Sequence, residues 1–580
     1  MKKLLVYLKD YKKESVLGPL FKLLEASFEL FVPLVMASII DVGIENKDKS
    51  HVVYMGLILF ALGVIGLVCS LTAQYFAAKA AVGFTAKLKS VLFSHIMKFS
   101  YSQMDAMGSS SLITRMTSDM NQVQSGVNLI LRLFLRSPFI VFGAMIMAFT
   151  VDVKSALIFV VVIPLLSIVV FGLMLIGIKI YHRLQLRLEK VTRNTRETLS
   201  GVRVIRAFRL EDEYEEEFME NNRALKKIQL LSGRVSSVMN PLTYVIINVG
   251  LVALIWSGAL RVNSGNISQG AVVALVNYMS QILVELIKLA NLIVSATKAY
   301  ACGNRIQAVL EVVPEGVCDT DIDAKIADAD TSCDEYIAFK NVHFSYDGAK
   351  EEALSDINFT VKKGETIGII GGTGSGKSTL INLLSGFYKP TKGTIILGGN
   401  DVLDLDAKQI LDMIKLVPQK AVLFSGTVAE NIRFGNKDAS DEEVLKALEI
   451  AQAKDFVLAK EGGINCMVSQ GGKNFSGGQR QRLTVARALV AESEVLILDD
   501  STSALDYKTD ALLRKGIAAL SHRPTVFLIS QRTNSLQSAD KILVMDDGML
   551  VGQGTHEELL VSNEVYREIH ESQYKKGGNA

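Results

Sequence analysis

The 580-residue chain is 49% hydrophobic and 21% charged, with a net charge of +2. That is too apolar for an ordinary soluble protein of this length, and it gives no electrostatic case for binding nucleic acid. Its five cysteines show no C-x-x-C spacing, which argues against a disulfide framework or a zinc site.

Residues 1–13 are basic and amphipathic and lack the cleavage pattern of a removed signal, so they read as an interfacial helix. Six apolar runs follow, at 16–40, 52–78, 129–150, 156–178, 242–260 and 271–294. Each is long enough for the roughly 20 residues that a bilayer-spanning helix needs. Pro33, Pro138, Pro164 and Pro241 lie in or beside these runs, which membrane helices tolerate. The connections 41–50, 151–155 and 261–268 are short. The connections 79–136 and 179–234 are long, helical in composition and rich in Lys and Arg. The positive-inside rule places these long segments, both termini and everything after residue 300 in the cytoplasm. A helix from 52 to 97 would be about 65–70 Å long against a bilayer core of about 30 Å, so it would project far into the cytoplasm. The alternative is a spanning helix followed by a loop and a separate soluble helix.

Ionisable residues inside the spans are informative. Lys22, Glu25 and Glu29 share one face of the first run, and Glu285 and Lys288 are an i, i+3 pair in the sixth. Such groups face a cavity or a partner. Two readings stand: a polar patch on a transport path, or salt bridges between helices.

The stretch 318–335 is acidic and reads as a linker. From residue 336 short β-rich runs alternate with helical ones, at 367–370, 394–397, 495–498, 525–529 and 542–545. That alternation is the signature of an α/β domain with a largely parallel core sheet. The expected organisation is a membrane all-α domain of six helices over 1–310, the linker over 311–335, an α/β P-loop domain over 336–572, and a tail over 573–580.

The motif GGTGSGKS at 371–378 follows a strand and opens a helix, the context that confirms a P-loop. Gly371, Thr373, Gly374, Ser375 and Gly376 lend backbone N–H groups to phosphates, with Thr379 beside them. Lys377 neutralises the β- and γ-phosphates, and Ser378 reaches Mg²⁺. ATP and Mg²⁺ are the implied cofactors. The strand 495–498 ends in two carboxylates, Asp499 and Asp500.

FSGGQ at 475–479, followed by Arg480-Gln481-Arg482, resembles the signature sequence of ATP-binding cassette (ABC) proteins, and the resemblance covers nearly the whole chain. In that family two nucleotide-binding domains face each other, and ATP lies between the P-loop of one and the signature of the other. The resemblance implies that Ser476, Gly477, Gly478 and Gln479 meet a partner's nucleotide. It implies that Tyr346 stacks on adenine, that Gln419 senses Mg²⁺, that Asp499 is the Mg²⁺-side carboxylate, and that Asp506, in SALD at 503–506, touches the opposite site. Lys420 departs from the acidic residue often found after the glutamine.

Two further departures carry more weight. Asp500 stands where the catalytic Glu usually is, and Gln531 where the switch His usually precedes Arg. A carboxylate about 1.5 Å short in reach, and an amide that carries no proton as His can, imply slow hydrolysis at the site built on this P-loop. The combination resembles the degenerate-site half of a bacterial heterodimeric multidrug ABC exporter. The implied partners are a second ABC half, the bilayer and a small amphipathic substrate. Segments 108–119 and 201–211 look like the coupling loops of such exporters. An importer on the exporter fold, an ATP-gated channel-like protein, and a homodimeric switch with two slow sites are the rival readings.

Overall fold

The computed structural model describes residues 2–314, 335–501 and 505–574. Most of the acidic linker, Ser503 and Ala504, and nearly all of the tail lie outside the described residues.

The chain divides into two units. The first comprises Met1–Met97 and Ser110–Val313. After a 3₁₀ segment, Lys2–Tyr11, its helices are α1 (Lys12–Ser38, extended by a π turn at Ile39–Ile44) and α2 (Lys49–Ile96). The short α3 (Tyr101–Met107) belongs to the second unit. Then come α4 (Ser109–Thr114), α5 (Met120–Leu133), α6 (Arg136–Val151), α7 (Val153–Ser200), α8 (Val202–Phe208), α9 (Glu211–Asn263) and α10 (Gln269–Leu310). Among the described residues, six helical segments are long and apolar enough to cross a membrane. At 48 residues α2 is unbroken and about 72 Å long, so the continuous reading of that run holds.

Side-chain caps fix where the long helices begin. Asp48 accepts from the Ser50 and His51 amides at the start of α2, and Asp152 from the Ser155 amide at the start of α7. Ser268 caps α10, and Asp41 takes both the Ser268 hydroxyl and the Gly270 amide, tying the end of α1 to the start of α10. Of the spanning helices α10 is the most buried and α2 the least. Helix α10 packs against α1, α5 and α6, whereas α7 packs mainly on α9.

The second unit comprises Lys98–Ser109 and Pro314–Ala580. Its strands are β1 (Ile337–Phe344), β2 (Leu354–Val361), β3 (Thr366–Gly371), β4 (Lys392–Leu397), β5 (Asn400–Asp401), β6 (Ile414–Val417), β7 (Gly426–Thr427), β8 (Met467–Val468), β9 (Val495–Asp499), β10 (Thr525–Ile529), β11 (Lys541–Asp546) and β12 (Met549–Gly554). Its helices continue as α11 (Lys377–Leu384), α12 (Ala407–Met413), α13 (Val428–Arg433), α14 (Asp441–Ile450), α15 (Lys454–Leu458), α16 (Gly477–Leu489), α17 (Tyr507–Ala518), α18 (Thr533–Leu536), α19 (His556–Ser562) and α20 (Glu564–Tyr574). The core sheet has the order β12-β11-β3-β10-β9-β6 and is parallel except for β12. Its central strands are apolar on both faces, as helices covering both sides require.

Three expectations need correction. The run 394–397 is strand β4 of a separate antiparallel sheet, ordered β2-β1-β4-β5, and not part of the parallel core. The first long excursion turns at α3, while 108–119 is already the helical rise that follows it. Arg136, read as the end of a basic cytoplasmic connection, is 6% exposed at the start of α6.

Candidate functional site

Four neighbouring strands of the core sheet, β3, β10, β9 and β6, run parallel, so their carboxyl ends open on one edge. In open α/β sheets that edge is where ligands bind. The candidate residues fall there because each follows one of these strands. The P-loop leaves β3, Gln531 follows β10, Asp499 and Asp500 end β9, and Gln419 follows β6.

The P-loop needs its glycines for geometry. Gly371, Gly374 and Gly376 take φ of 157°, 88° and 94°, which side-chain-bearing residues avoid. A Cβ at Gly371 would lie 2.1 Å from the Met545 carbonyl oxygen. The loop therefore turns its backbone into a concave nest that opens helix α11, the arrangement that suits phosphate. Thr373, Gly374 and Ser378 are exposed, while Ser375 and Thr379 are buried.

Lys377 Nζ donates to the Gly371 and Gly372 carbonyls at 3.0 and 2.5 Å and to Ser375 Oγ at 3.1 Å. Burial lowers its pKa, and the nearby Asp499 and Asp500 carboxylates oppose that shift. Asp499 is pushed up by burial and by Asp500, with Lys377 pulling the other way. Gln419 Nε2 donates to Asp500 Oδ2 at 3.3 Å. Asp500 itself sits at φ 43°, uncommon for a residue with a side chain, and its amide bonds the Ile529 carbonyl. That bond places Asp500 beside the switch segment, so the two departures from the ABC pattern occupy adjacent strand ends.

The donor set fits Mg²⁺ with nucleotide. Among the described residues no three His, Cys, Asp or Glu side chains converge. Mg²⁺ is held by one or two carboxylates together with phosphates and waters, and Ser378, Asp499 and Gln419 supply a matching oxygen set.

Other candidates form separate groups. Ser476 caps α16: its Oγ accepts from the Gln479 amide at 3.3 Å, and Gln479 Oε1 accepts from the Ser476 amide at 3.0 Å. The side-chain oxygen of Gln479 is thereby used within the motif, while Ser476 and Gly477 stay exposed at the helix start. Gln481 Nε2 reaches the Pro418 carbonyl, joining the signature helix to the glutamine loop. Asp506 caps α17 through the Thr509 amide, and that bond lowers its pKa. Tyr346 is part-exposed and donates to or accepts from Thr379 Oγ1 at 3.0 Å. Gln531 is exposed, and its carbonyl accepts from Gln573 Nε2 of α20 at 2.7 Å.

In the first unit Lys22–Glu25 and Lys288–Glu285 pair within their own helices, and the bridge between helices is Arg136, a centre that sequence reasoning missed. Arg136 bonds Glu285 Oε1 at 2.5 Å and Glu29 Oε2 at 2.7 Å. Glu285 also accepts from Ser137 and Lys288, and Lys22 bonds Glu25 and Ser70. The only signal for Arg136 was its place beside an apolar run. The second expected coupling segment holds the short helix α8, closed by Arg209 at φ 55°.

Comparison with known proteins agrees with this architecture. Residues 15–286 match the family described as ABC transporter transmembrane region, and residues 354–503 match the ABC transporter family. The uncharacterized ABC transporter ATP-binding protein YfiB of Bacillus subtilis is 35% identical over 579 residues, 100% of each chain. YfiC of the same organism is 31% identical, over 98% of this chain and 93% of its own length. An ATP-dependent lipid A-core flippase of Vibrio vulnificus is 27% identical over 99% of this chain and 98% of its own. The structure of a bacterial Atm1-family ABC exporter with ATP bound aligns with a TM-score of 0.79 at 21% identity, over 98% of this chain and 99% of that one. This last likeness is one of fold.

Proposed function

Because the chain belongs to the ABC transporter family, as a multi-pass membrane protein that couples ATP hydrolysis to translocation, we propose that it is an exporter subunit that works as one half of an asymmetric heterodimer. Its own P-loop site binds ATP and hydrolyses it slowly, and its signature completes a faster site on the partner. The observation that carries this reading is the pairing of Asp500 with Gln531 at adjacent strand ends. Asp500 is a carboxylate about 1.5 Å shorter in reach than the Glu found there in the family, Gln531 carries no proton as the family's His can, and general-base catalysis is worth about 10²–10⁴-fold in rate.

Each residue then has a defined task. Lys377 and the P-loop amides hold the triphosphate, and Tyr346 stacks on adenine. Ser378, Asp499 and Gln419 hold Mg²⁺, which would neutralise charge on the phosphates. Ser476 and the amides of Gly477 and Gly478 face the partner's nucleotide. The lipid A-core flippase among the relatives supports an amphipathic substrate, and the Lys- and Arg-rich connections support a cytoplasmic nucleotide domain and termini.

The test is ATPase activity of this chain alone and with a co-transcribed ABC half. Activity of the isolated chain equal to that of the pair would overturn the reading. In the pair, Asp500→Asn should change turnover less than about threefold, while neutralising the partner's base should remove most of it.

A further inference from the structure

Helix α3 is only seven residues long, yet it is held firmly in the second unit. Ser100 and Gln103 form a reciprocal cap at its start. Three of its side chains meet the rest of the second unit. The Tyr101 ring stacks on Phe387 at 4.1 Å. Ser102 Oγ donates to Asp347 Oδ2 at 3.0 Å. Asp105 Oδ2 accepts from the Tyr388 hydroxyl at 2.5 Å, a charge-assisted bond.

The targets of these contacts are not scattered. Phe387 and Tyr388 follow Gly386, which ends the P-loop helix at φ 67°, where a Cβ would lie 2.7 Å from Ile410. The turn thus presents both rings beside the nucleotide loop. The Tyr388 ring meets that of Tyr346 edge-on at 5.4 Å and 82°, and Phe344 packs on both. Asp347 is the residue after Tyr346. The two polar contacts of α3 therefore end on a neighbour of Tyr346 in sequence and a neighbour of Tyr346 in space. Tyr346 in turn reaches Thr379 of the P-loop helix.

We propose that Tyr388 is a positioning residue that ties the orientation of the Tyr346 ring to helix α3, so that a base stacked on Tyr346 orders α3 directly. This rests on the reading of Tyr346 as the adenine-stacking residue. A base covering the exposed face of Tyr346 holds the ring in one rotamer. The edge-on contact then fixes Tyr388, whose hydroxyl holds Asp105. A coupling claim of this kind needs a response at one end to occupancy at the other.

The experiment is hydrogen exchange at the amides of Tyr101–Met107 in the full chain, with and without ATP and Mg²⁺. In the unmodified protein ATP should slow this exchange about tenfold. Tyr388→Phe keeps the ring and removes the hydroxyl. It should cut the slowing to less than about twofold while ATP affinity stays within about threefold, and Asp105→Ala should do the same. Asp105→Asn keeps an acceptor and should retain most of the effect. A structural role alone would speed exchange equally with and without ATP. Retention of the ATP-dependent ratio in Tyr388→Phe, or its absence in the unmodified protein, overturns the proposal. Failure of the underlying reading shows elsewhere: Tyr346→Ala would then leave ATP affinity unchanged.

Discussion

Replacing Arg136 by Met tests whether the membrane helices are held by charge. Arg136 is 6% exposed and Glu285 2%, and both sit in hydrogen-bonding range of several partners. The six ionisable residues balance: Lys22, Arg136 and Lys288 against Glu25, Glu29 and Glu285, three positive and three negative. Arg136→Met leaves a net −1. Glu29 has a side chain 39% exposed and can find other company. Glu285 cannot, although Lys288 and Ser137 remain with it. Breaking a buried pair costs about 3–5 kcal/mol, and the remaining partners put this case near the lower end. At about 2–4 °C per kcal/mol, that predicts a melting temperature lower by roughly 6–12 °C. The single tryptophan, Trp256, lies in α9, so its fluorescence reports on the membrane unit of the purified chain. The double variant Arg136→Met/Glu285→Gln restores the balance and should recover at least about half of the loss. A single variant that melts within about 2 °C of the parent, or a double no more stable than the single, would refute the reasoning.

Asp499 makes a pH-dependent case. Burial and Asp500 raise its pKa, so in the nucleotide-free fold its ionised form is disfavoured. The penalty operates above that raised pKa and fades as pH falls through it. Asp499→Asn should therefore stabilise the nucleotide-free chain at pH 8, with the gain shrinking as pH falls through the raised pKa. The same change should weaken the Mg²⁺-dependent part of ATP binding by about 10–100-fold. Thermal melts across pH, with and without MgATP, check both, and a less stable variant at pH 8 without nucleotide would sink the argument. Gln573→Ala removes bonds to the Gln531 carbonyl and to the Thr533 amide and hydroxyl. Thr533 is fully buried, so its amide would lose about 1–3 kcal/mol of satisfaction. Hydrogen exchange at residues 530–534 should rise about tenfold, while unchanged exchange would show that α20 does not hold the switch segment.

The six spans were legible because long apolar runs have few other uses. The P-loop was legible because its glycines stand at fixed offsets between a strand and a helix. What the sequence left open was partnership. Arg136 looked like the end of a basic loop because Glu29 and Glu285 lie 107 and 149 residues away. Strand β4 carried the right composition for a strand, but nothing in it named its neighbour. Helix α3 is too short for a periodic signal, although Ser100 and Gln103 spell a cap that could have marked its start. Tyr388 gains its importance only when Gly386 turns the chain back toward Tyr346.

The ion network also has an order of assembly set by translation. Lys22 and Glu25 are three residues apart and enter the bilayer as a neutral pair, and Ser70 joins them as soon as α2 is made. Glu285 and Lys288 likewise arrive together, one turn apart. Of the six, Glu29 alone must wait, because Arg136 emerges from the ribosome only after α2 through α5. During that interval the first span carries one uncompensated carboxylate, and ionisable groups within the bilayer are costly. Nascent chains should accordingly be most dependent on the insertion machinery between the appearance of α1 and that of α6, and least so once Arg136 has joined them.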